Sequence, residues 1–490
     1  MYNKNCWTKY NKQELKKVFE FADNYKKFIT ENKTEREVIS SIIKMAKQRG
    51  YVSVEDVKKK GVPLNKGDKI YGCLHNRLLI LIQVGARMVV DKGCNILGAH
   101  VDSPRFDIKQ NPLYQDAGLA FFDTHYYGGI NMYQWVNMPY ELRGVVVLND
   151  GKKVNVCIGK DDDDPVMFIN DLLIHLDKKV TQKPACEFIP AEGVNLLIGS
   201  RPLIKDEDID KSECDDLDFS YDDCAEKNDS ISKEGNKAIS AYILKLLNDK
   251  YGIKECNLAS ADLEVVPAGS ARNCGMDSSM IAGYGHDDRA CVYPSAMALF
   301  DTPQTEKTRV AIFTDKEEVG SIGSTGMNCR YFENMIAELL ELNGEGQGNF
   351  LNTRRALSKS SMLSSDVSGA YDPDHKDVFE RKNSCFLGDG ITFNKYGGAR
   401  GKSGSNEASA EFCSRVHQIM NENNVTWQTA ELGAVDAGGG GTIAHILAEY
   451  GMEVIDCGVP VLSMHCPWEV ISKADLYECY LGYKAFLKNA

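Results

Sequence analysis

The chain has 490 residues, of which 43% are hydrophobic and 26% are charged, and its formal net charge at pH 7 is −13. This length exceeds what one hydrophobic core usually supports, so we expect two domains or one domain with a large insertion. The negative charge argues against nucleic acid or an anionic membrane as the main partner, and no apolar stretch approaches the roughly 18 residues of a membrane span.

The first residues and the spacing of the cysteines indicate the cellular compartment of the protein. The first residues, MYNKNCWTKYNKQELKKVF, lack the apolar core of a secretory signal peptide. The 16 cysteines include no CxxC pair, which disfavours a redox motif and a zinc ribbon. We therefore expect a cytoplasmic protein whose cysteines are reduced and mostly buried.

The predicted elements begin with helices over residues 12–48, where apolar residues recur at helical spacing between charged faces. Two apolar runs follow, LLILIQVG from Leu78 and NILGAHVDS from Asn95, and both predict strands. Beyond Pro104 the chain becomes rich in aromatic and β-branched residues, and an Asn-Asp-Gly turn at 149–151 predicts a hairpin.

Strand–turn–helix alternation returns after about Ala259, in ADLEVVPAG, RVAIFTD, SMLSSD and VPVLSMH. This pattern predicts an α/β catalytic domain with a central mixed sheet flanked by helices, built from residues 1–104 and 259–490 and interrupted by a β-rich insertion at 105–258. The insertion contains an acidic stretch at 205–226. It fails the EF-hand template, because Lys211 stands where that loop needs Gly, so we expect a solvated surface loop.

Carboxylates and imidazoles collect at five predicted strand ends, the positions where ligands bind in open α/β sheets. A single strand-end Asp usually caps a helix or a turn, but five such ends exceed what packing requires. Mixed imidazole and carboxylate ligands suit zinc, manganese or cobalt better than calcium. The candidates are His100 and Asp102 in GAHVDSP, His286, Asp287 and Asp288 in GYGHDDRAC, Asp315, Glu317 and Glu318 in TDKEEVGS, Asp366 in SSDVSG, and His465 in LSMHCPW.

The adjacent glutamates Glu317 and Glu318 follow an apolar strand, where neither carboxylate is buried cheaply without a nearby cation. A two-metal centre accounts for the pair, because it needs an unliganded base for the attacking water as well as ligands. One glutamate would bind metal while the other faces the water. Alternation along an extended segment would direct the two side chains differently.

The motifs GAHVDSP, HDDRA, DKEEVGS, SSDVS and LSMH stand in the order and rough spacing of the aspartyl aminopeptidase / aminopeptidase I family. The chain resembles these dinuclear zinc peptidases over nearly its whole length. The resemblance implies two divalent ions per subunit, zinc in the first place and manganese or cobalt as alternatives. It implies His100 and Asp366 as ligands of one ion and Glu318 and His465 as ligands of the other. Asp287 would bridge the two ions.

The resemblance also implies roles beyond the ligands. Asp102 would orient the His100 ring, and Glu317 would be the general base that activates water between the two metals. His175, in Ile174-His175-Leu176, would enter the active site of a neighbouring subunit, although the sequence alone makes it an ordinary helix residue. The family fold implies an inserted β-rich dimerisation domain and a tetrahedral homododecamer. The implied function is removal of the first residue of peptide substrates.

The preferred first residue of the substrate stays open between acidic and neutral or apolar. Acid-preferring family members carry a histidine three residues after the ligand aspartate of the SSD motif, where this chain has Gly369. That difference favours a neutral or apolar residue such as Leu or Met. The glycine-rich AGGGGT at 437–442 resembles the substrate loop of the family, with a plain turn as the alternative.

Two other functions remain as alternatives. GGARGKSGS at 397–405 suggests a P-loop-like NTPase, but a Walker A motif needs four residues between its first Gly and Gly-Lys-Ser, and Gly397 is one residue too close. A non-catalytic oligomeric scaffold with structural metal is the second alternative, although a structural zinc site normally closes with four ligands, fewer than the candidates here. The absence of HExxH and GxSxG disfavours thermolysin-type peptidases and serine hydrolases.

Overall fold

The computed structural model describes residues 5–161, 163–203, 237–345, 350–398 and 401–490, so the acidic stretch at 205–226 lies outside the described residues. The chain divides into two compact units. Unit 1 comprises Met1–Pro104 and Ser270–Ala490, and unit 2 comprises Arg105–Gly269. No helix within the described ranges is long and apolar enough to cross a bilayer.

Strands and helices are numbered in chain order. The strands are β1 Val52–Ser53, β2 Lys69–Leu74, β3 Leu78–Gln83, β4 Cys94–His100, β5 Arg105–Asp116, β6 Leu119–Tyr127, β7 Met138–Val147, β8 Lys153–Ile158, β9 Met167–Ile169, β10 Leu196–Gly199, β11 Asp262–Pro267, β12 Arg272–Cys274, β13 Met280–Gly283, β14 Thr308–Thr314, β15 Ser361–Ser365, β16 Ser368–Gly369, β17 Ile391–Asn394, β18 Trp427–Thr429, β19 Glu453–Gly458, β20 Pro460–Leu462 and β21 Glu469–Ser472. The helices are α1 Lys12–Glu31, α2 Glu35–Gln48, α3 Val54–Lys60, α4 Val89–Lys92, α5 Ala185–Phe188, α6 Ala238–Tyr251, α7 Glu255–Leu258, α8 His286–Asp301, α9 Tyr331–Leu342, α10 Phe350–Ser358, α11 Ala410–Glu422, α12 Ala444–Ala448 and α13 Lys473–Asn489.

A nine-stranded mixed sheet forms the centre of unit 1, in the order β1-β2-β3-β14-β4-β15-β19-β17-β18. Its central strands β3, β14, β4 and β15 are buried on both faces because successive side chains alternate between two cores. On β3, Leu79 and Leu81 enter the core formed with α1, α2, α8, α11 and α13, whereas Ile80 and Ile82 enter the core formed with α9, α10 and α12. The predicted α/β class, with a central sheet between layers of helices, is confirmed.

The carboxyl ends of four parallel strands meet at one edge of this sheet. Strands β14, β4, β15 and β19 run in the same direction, with Thr314 opposite His100 and Gly98 opposite Ser364. The polar segments that follow these strands therefore converge, as ligand sites do in open α/β sheets.

A smaller five-stranded sheet in unit 1 has the order β12-β13-β21-β20-β16. The strand of VPVLSMH is β20, and it belongs to this smaller sheet. It pairs with β16 and β21 rather than with a strand of the central sheet. The connections that carry Asp287 and His465 leave β13 and β20 of this second sheet. The apolar pattern of VPVLSMH therefore predicted a strand correctly without revealing its sheet.

Unit 2 is a seven-stranded antiparallel sheet in the order β11-β5-β6-β10-β9-β7-β8, and an extra pairing of β11 with β7 closes six of its strands into a ring. The sequence pattern placed β11 in the catalytic domain from residue 259 onward, but the strand pairs only within this sheet. Gly144 permits the close approach, because a Cβ there would lie 1.9 Å from the Asp262 carbonyl oxygen. A dimerisation role for the inserted unit stays a prediction.

Candidate metal centre

Five side chains with metal-binding groups come together at the carboxyl edge of the central sheet. His100 ends β4, Glu318 follows β14, and Asp366 follows β15. Asp287 lies at the start of α8, and His465 lies in the turn between β20 and β21. Five segments that are distant in sequence thus deliver their side chains to one place.

The Asp287 carboxylate lies between the two imidazoles. Its Oδ1 is 3.1 Å from His100 Nε2, and its Oδ2 is 3.2 Å from His465 Nε2. His100 Nε2 also lies 3.7 Å from Asp366 Oδ1, and His465 Nε2 lies 3.4 Å from Glu318 Oε2. Each histidine therefore faces its own carboxylate, and both face Asp287.

These distances and the donor set fit divalent metal. Two ligand atoms at about 2.0–2.1 Å from a tetrahedral zinc lie roughly 3.3 Å apart, close to the 3.1–3.7 Å between imidazole nitrogens and carboxylate oxygens here. Buried Glu318 Oε1 has no hydrogen-bond partner among the residues described. A buried carboxylate oxygen left this way is costly unless a cation compensates it.

Asp288 also faces this group of residues. Candidate ligand atoms of His100, Asp288 and Asp366 lie within 4.8 Å of one another, as do those of His100, Asp287 and Glu318. Asp288 Oδ2 accepts a hydrogen bond of 3.3 Å from the His100 backbone N–H. The Asp-Asp pair makes Asp288 a strand-end candidate, but no motif of the sequence assigns it a role.

Asp102 connects His100 to the glutamate pair. Its backbone carbonyl oxygen lies 3.1 Å and its Oδ1 lies 3.3 Å from His100 Nδ1, so the Nε2 atom of the ring is directed toward Asp287. Its carboxylate also accepts hydrogen bonds of 3.2 Å from the backbone N–H groups of Glu317 and Glu318. One buried residue thus fixes both the His100 ring and the turn that carries the two glutamates.

The glutamate pair lies in a single 3-10 turn, Glu317–Val319, that begins after Lys316 in a left-handed conformation. The expectation of an extended segment is wrong, because the chain turns immediately after β14 to bring both N–H groups onto Asp102. Successive residues of a 3-10 helix differ by about 120° in direction, so the two side chains still diverge.

The centre is strongly electronegative. Burial raises the pKa of Glu317 to about 8, with His100 opposing the shift and Asp366 adding to it. Burial and then Asp287 raise the pKa of Glu318 well above its usual range. Burial would also raise the pKa of Asp287, but the rings of His100 and His465 lower it instead. Divalent cations would stabilise the ionised form of these buried carboxylates.

Two other candidates from the same motifs face elsewhere. His286 packs against Tyr25, whose hydroxyl lies 2.8 Å from His286 Nδ1, and burial lowers the pKa of His286 to about 3. Asp315 accepts a hydrogen bond of 2.6 Å from Thr325 and forms an ion pair of 3.5 Å with Arg77. Both side chains therefore contact residues around the centre rather than the five candidate ligands.

His175 belongs to unit 2 and lies in an exposed turn rather than in a helix. Its neighbours Leu172, Leu173, Ile174 and Leu176 are 46–76% exposed, which makes this one of the most apolar exposed segments of the described chain. An exposed run of this kind commonly marks an interaction site.

Glu469, the first residue of β21, also belongs to the surroundings of the centre, although none of the five sequence motifs includes it. Its Oε1 accepts a hydrogen bond of 2.8 Å from the His465 backbone N–H, and its Oε2 accepts one of 3.1 Å from the Asp287 backbone N–H. Burial and then Asp287 raise the pKa of Glu469 to about 8. The available signal was a carboxylate four residues after His465.

The described residues of GGARGKSGS, 397–398 and 401–405, do not lead into a helix as a phosphate loop does. A Walker A motif opens a helix at its Gly-Lys-Ser, but the next helix, α11, begins only at Ala410. Lys402 Nζ lies 3.1 Å from Glu407 Oε1. Residues 399–400 lie outside the described residues.

Comparisons with known proteins agree with one another. The family model described as aminopeptidase I zinc metalloprotease (M18) matches residues 28–487. A probable M18 family aminopeptidase 1 from Clostridium acetobutylicum is 49% identical over 486 residues, covering 99% of this chain and 98% of the relative. The crystal structure of an M18 family aminopeptidase from Thermotoga maritima is 37% identical, with a TM-score of 0.89 and full coverage of both chains. A structure described as the S. cerevisiae mApe1 dodecamer is 18% identical, with a TM-score of 0.73 and 95% of each chain covered, and it shows likeness of fold.

Proposed function

Because the chain belongs to the M18 family of aminopeptidase I zinc metalloproteases, we propose that it hydrolyses the first peptide bond of peptides at a centre of two divalent ions. Family membership makes it a metalloaminopeptidase, and hence a hydrolase. The observation that carries the finer proposal is the Asp287 carboxylate, with one oxygen beside His100 and the other beside His465.

The ligand assignment follows the contacts around Asp287. His100 and Asp366 would hold one ion, Glu318 and His465 would hold the other, and Asp287 would contact both. Imidazole and carboxylate donors suit zinc, with manganese or cobalt as alternatives. When bound, such ions supply Lewis acidity that lowers the pKa of a water molecule and polarises the scissile carbonyl.

Glu317 is the proposed general base. Its backbone is fixed by Asp102, while its carboxylate faces the same centre as His100 and Asp366 without being needed as a ligand. The carboxylate would take a proton from the attacking water and pass it to the amine of the leaving peptide. Asp102 would act as a positioning residue, because it holds both the ring of His100 and the turn of Glu317.

The electronegative centre also suits recognition of a free α-amine. Carboxylates outnumber imidazoles around Asp287, so the field favours a positively charged amino terminus. His465 is 33% exposed whereas His100 is 2% exposed, which opens the centre on the His465 side. A blocked amino terminus would lose this attraction.

Substrate preference is proposed to be neutral or apolar rather than strictly acidic. A Cβ at Gly369 would lie 3.0 Å from Leu432 Cδ1, and a Cβ at Gly440 would lie 3.5 Å from Leu432 Cδ2. The Leu432 side chain therefore lies against Gly369, the residue three positions after Asp366. It also lies against the glycine-rich loop. An apolar group there offers nothing to an acidic side chain, which supports first residues such as Leu or Met.

Self-association is proposed to complete the site. The exposed apolar run around His175 supports contact with a second subunit, and the yeast relative is described as a dodecamer. We therefore expect unit 2 to make dimer contacts, the particle to be a tetrahedral homododecamer, and His175 to act in the active site of its neighbour.

The test is a panel of aminoacyl p-nitroanilides assayed on metal-stripped enzyme, then after addition of zinc, manganese or cobalt. We expect no activity without metal, restored activity with it, and Leu and Met cleaved at least as well as Asp and Glu. N-acetyl-leucyl p-nitroanilide is the matched control and should not be cleaved. Full activity after verified metal removal would refute metal dependence, and a strong preference for Asp or Glu would refute the substrate assignment.

A further inference from the structure

A single buried carboxylate joins the two chain segments that carry Asp287 and His465. Glu469 is 1% exposed, and each of its oxygens accepts a backbone N–H, one from His465 and one from Asp287. These two residues are 178 positions apart in sequence, and they are the pair whose side chains meet at 3.2 Å.

Neither segment is held in place by regular secondary structure. His465 has a φ of 64°, a left-handed conformation that is uncommon and mildly unfavourable for a residue other than glycine. Asp287 has a φ of −76° and a ψ of 105°, so it is not helical although it stands at the start of α8. The backbone at both positions therefore needs a constraint from another residue to keep the Asp287 and His465 side chains at their observed separation.

Glu469 is itself firmly placed. It begins β21, where it pairs with Gly283 of β13, and β21 pairs on its other side with β20. Strand β13 leads into the Asp287 connection and strand β20 leads into the His465 connection. The Glu469 side chain thus extends from the strand that lies between the two segments toward both of them.

We propose that Glu469 is a positioning residue that fixes the separation between Asp287 and His465, and that it must be a carboxylate because both of its oxygens act as acceptors. This inference rests on the proposed metal-binding roles of Asp287 and His465. Its consequence is that Glu469 governs how tightly the ion between those two residues is held. Partners that orient metal ligands typically contribute 10- to 100-fold in metal affinity.

The decisive variant is Glu469→Gln, which keeps the shape but replaces one acceptor oxygen with an NH₂ group. That group would face a backbone N–H, so one of the two hydrogen bonds must be lost. We expect a roughly 10- to 100-fold weaker affinity for one of two cobalt ions, measured by chelator competition with the visible spectrum of cobalt as the signal. At saturating metal, kcat should fall more than KM changes.

Glu478→Gln is the matched control. Glu478 is also fully buried and accepts a backbone N–H, that of Thr426 at 2.7 Å, but its other partners are Lys9 and Tyr10 rather than metal-binding residues. This variant should lower the free energy of unfolding while both cobalt affinities stay unchanged. If Glu469→Gln does not fold, Glu469→Asp replaces it: the shortened carboxylate cannot reach both N–H groups, so the same loss is expected.

The outcomes separate this inference from the proposed function. Wild-type enzyme that binds two ions, together with a folded Glu469→Gln variant of unchanged affinity and kcat, would overturn the role of Glu469 alone. Wild-type enzyme that binds no metal and is active would overturn the proposed function and this inference with it. Selective loss of one ion in the Glu469→Gln variant would support both the role of Glu469 and the proposed function.

Discussion

Replacing Glu317 with Gln isolates the proposed base from the ligands. Gln preserves the side-chain shape, and the backbone N–H still donates to Asp102 at 3.2 Å. Within the described part of the chain the Glu317 carboxylate accepts no hydrogen bond, so the turn loses no contact. Fold and metal content should therefore be unchanged. General-base catalysis contributes about 10²–10⁴-fold, so kcat should fall by that factor, which corresponds to about 3–5 kcal/mol of transition-state stabilisation.

The matched variant is Glu318→Gln, which changes the neighbouring residue of the same turn. Glu318 Oε2 lies 3.4 Å from His465 Nε2, so this variant should lose one metal ion as well as activity. The assay combines kcat for leucyl p-nitroanilide at saturating zinc with metal content determined by mass spectrometry. Equal metal contents with equal and modest losses of activity in the two variants would refute the division of roles.

Three further predictions concern other residues. His175→Ala should keep its metal and its assembly but lose most of its activity. Mixing these subunits with inactive Glu317→Gln subunits should restore part of the activity. Verified mixed particles that stay inactive would exclude action between subunits. Asp102→Asn should weaken metal binding by roughly 10- to 100-fold in chelator competition, because an amide cannot accept both N–H groups. The folded pKa of His286 is about 3, so its contribution to stability is fully present above pH 6.5 and is lost progressively as the pH falls below that value. From pH 6.5 to 5, metal-free wild type should therefore lose about 1.6 kcal/mol more than His286→Phe in urea unfolding.

The sequence predicted the region of the centre well because parallel strands impose a common edge. Residues at or shortly after the carboxyl ends of β4, β14 and β15 lie near that edge, so His100, Glu318 and Asp366 could be grouped without a structure. The structure brings the five candidate ligands together, and their individual roles stay proposals. His286 shows what this reasoning cannot predict. It shares a motif with Asp287, but its ring packs on Tyr25, which lies 261 positions away in the sequence.

Long-range pairing and backbone acceptors explain what the sequence did not reveal. Strands β11 and β20 have the same apolar pattern as central strands, and only their partners place them in other sheets. Glu469 accepts hydrogen bonds from backbone N–H groups rather than from side chains, so its spacing four residues after His465 does not by itself reveal its contact with Asp287. The turn at Glu317 likewise depends on the Asp102 carboxylate, which is more than 200 residues away in sequence.

The position of Asp287 between two metal ions is the central claim, and anomalous diffraction from zinc-loaded crystals tests it most directly. We expect two zinc peaks per subunit, one in contact with His100 and Asp366 and the other in contact with Glu318 and His465, with the Asp287 carboxylate touching both. A single fully occupied peak, or two peaks that Asp287 does not join, would contradict the account.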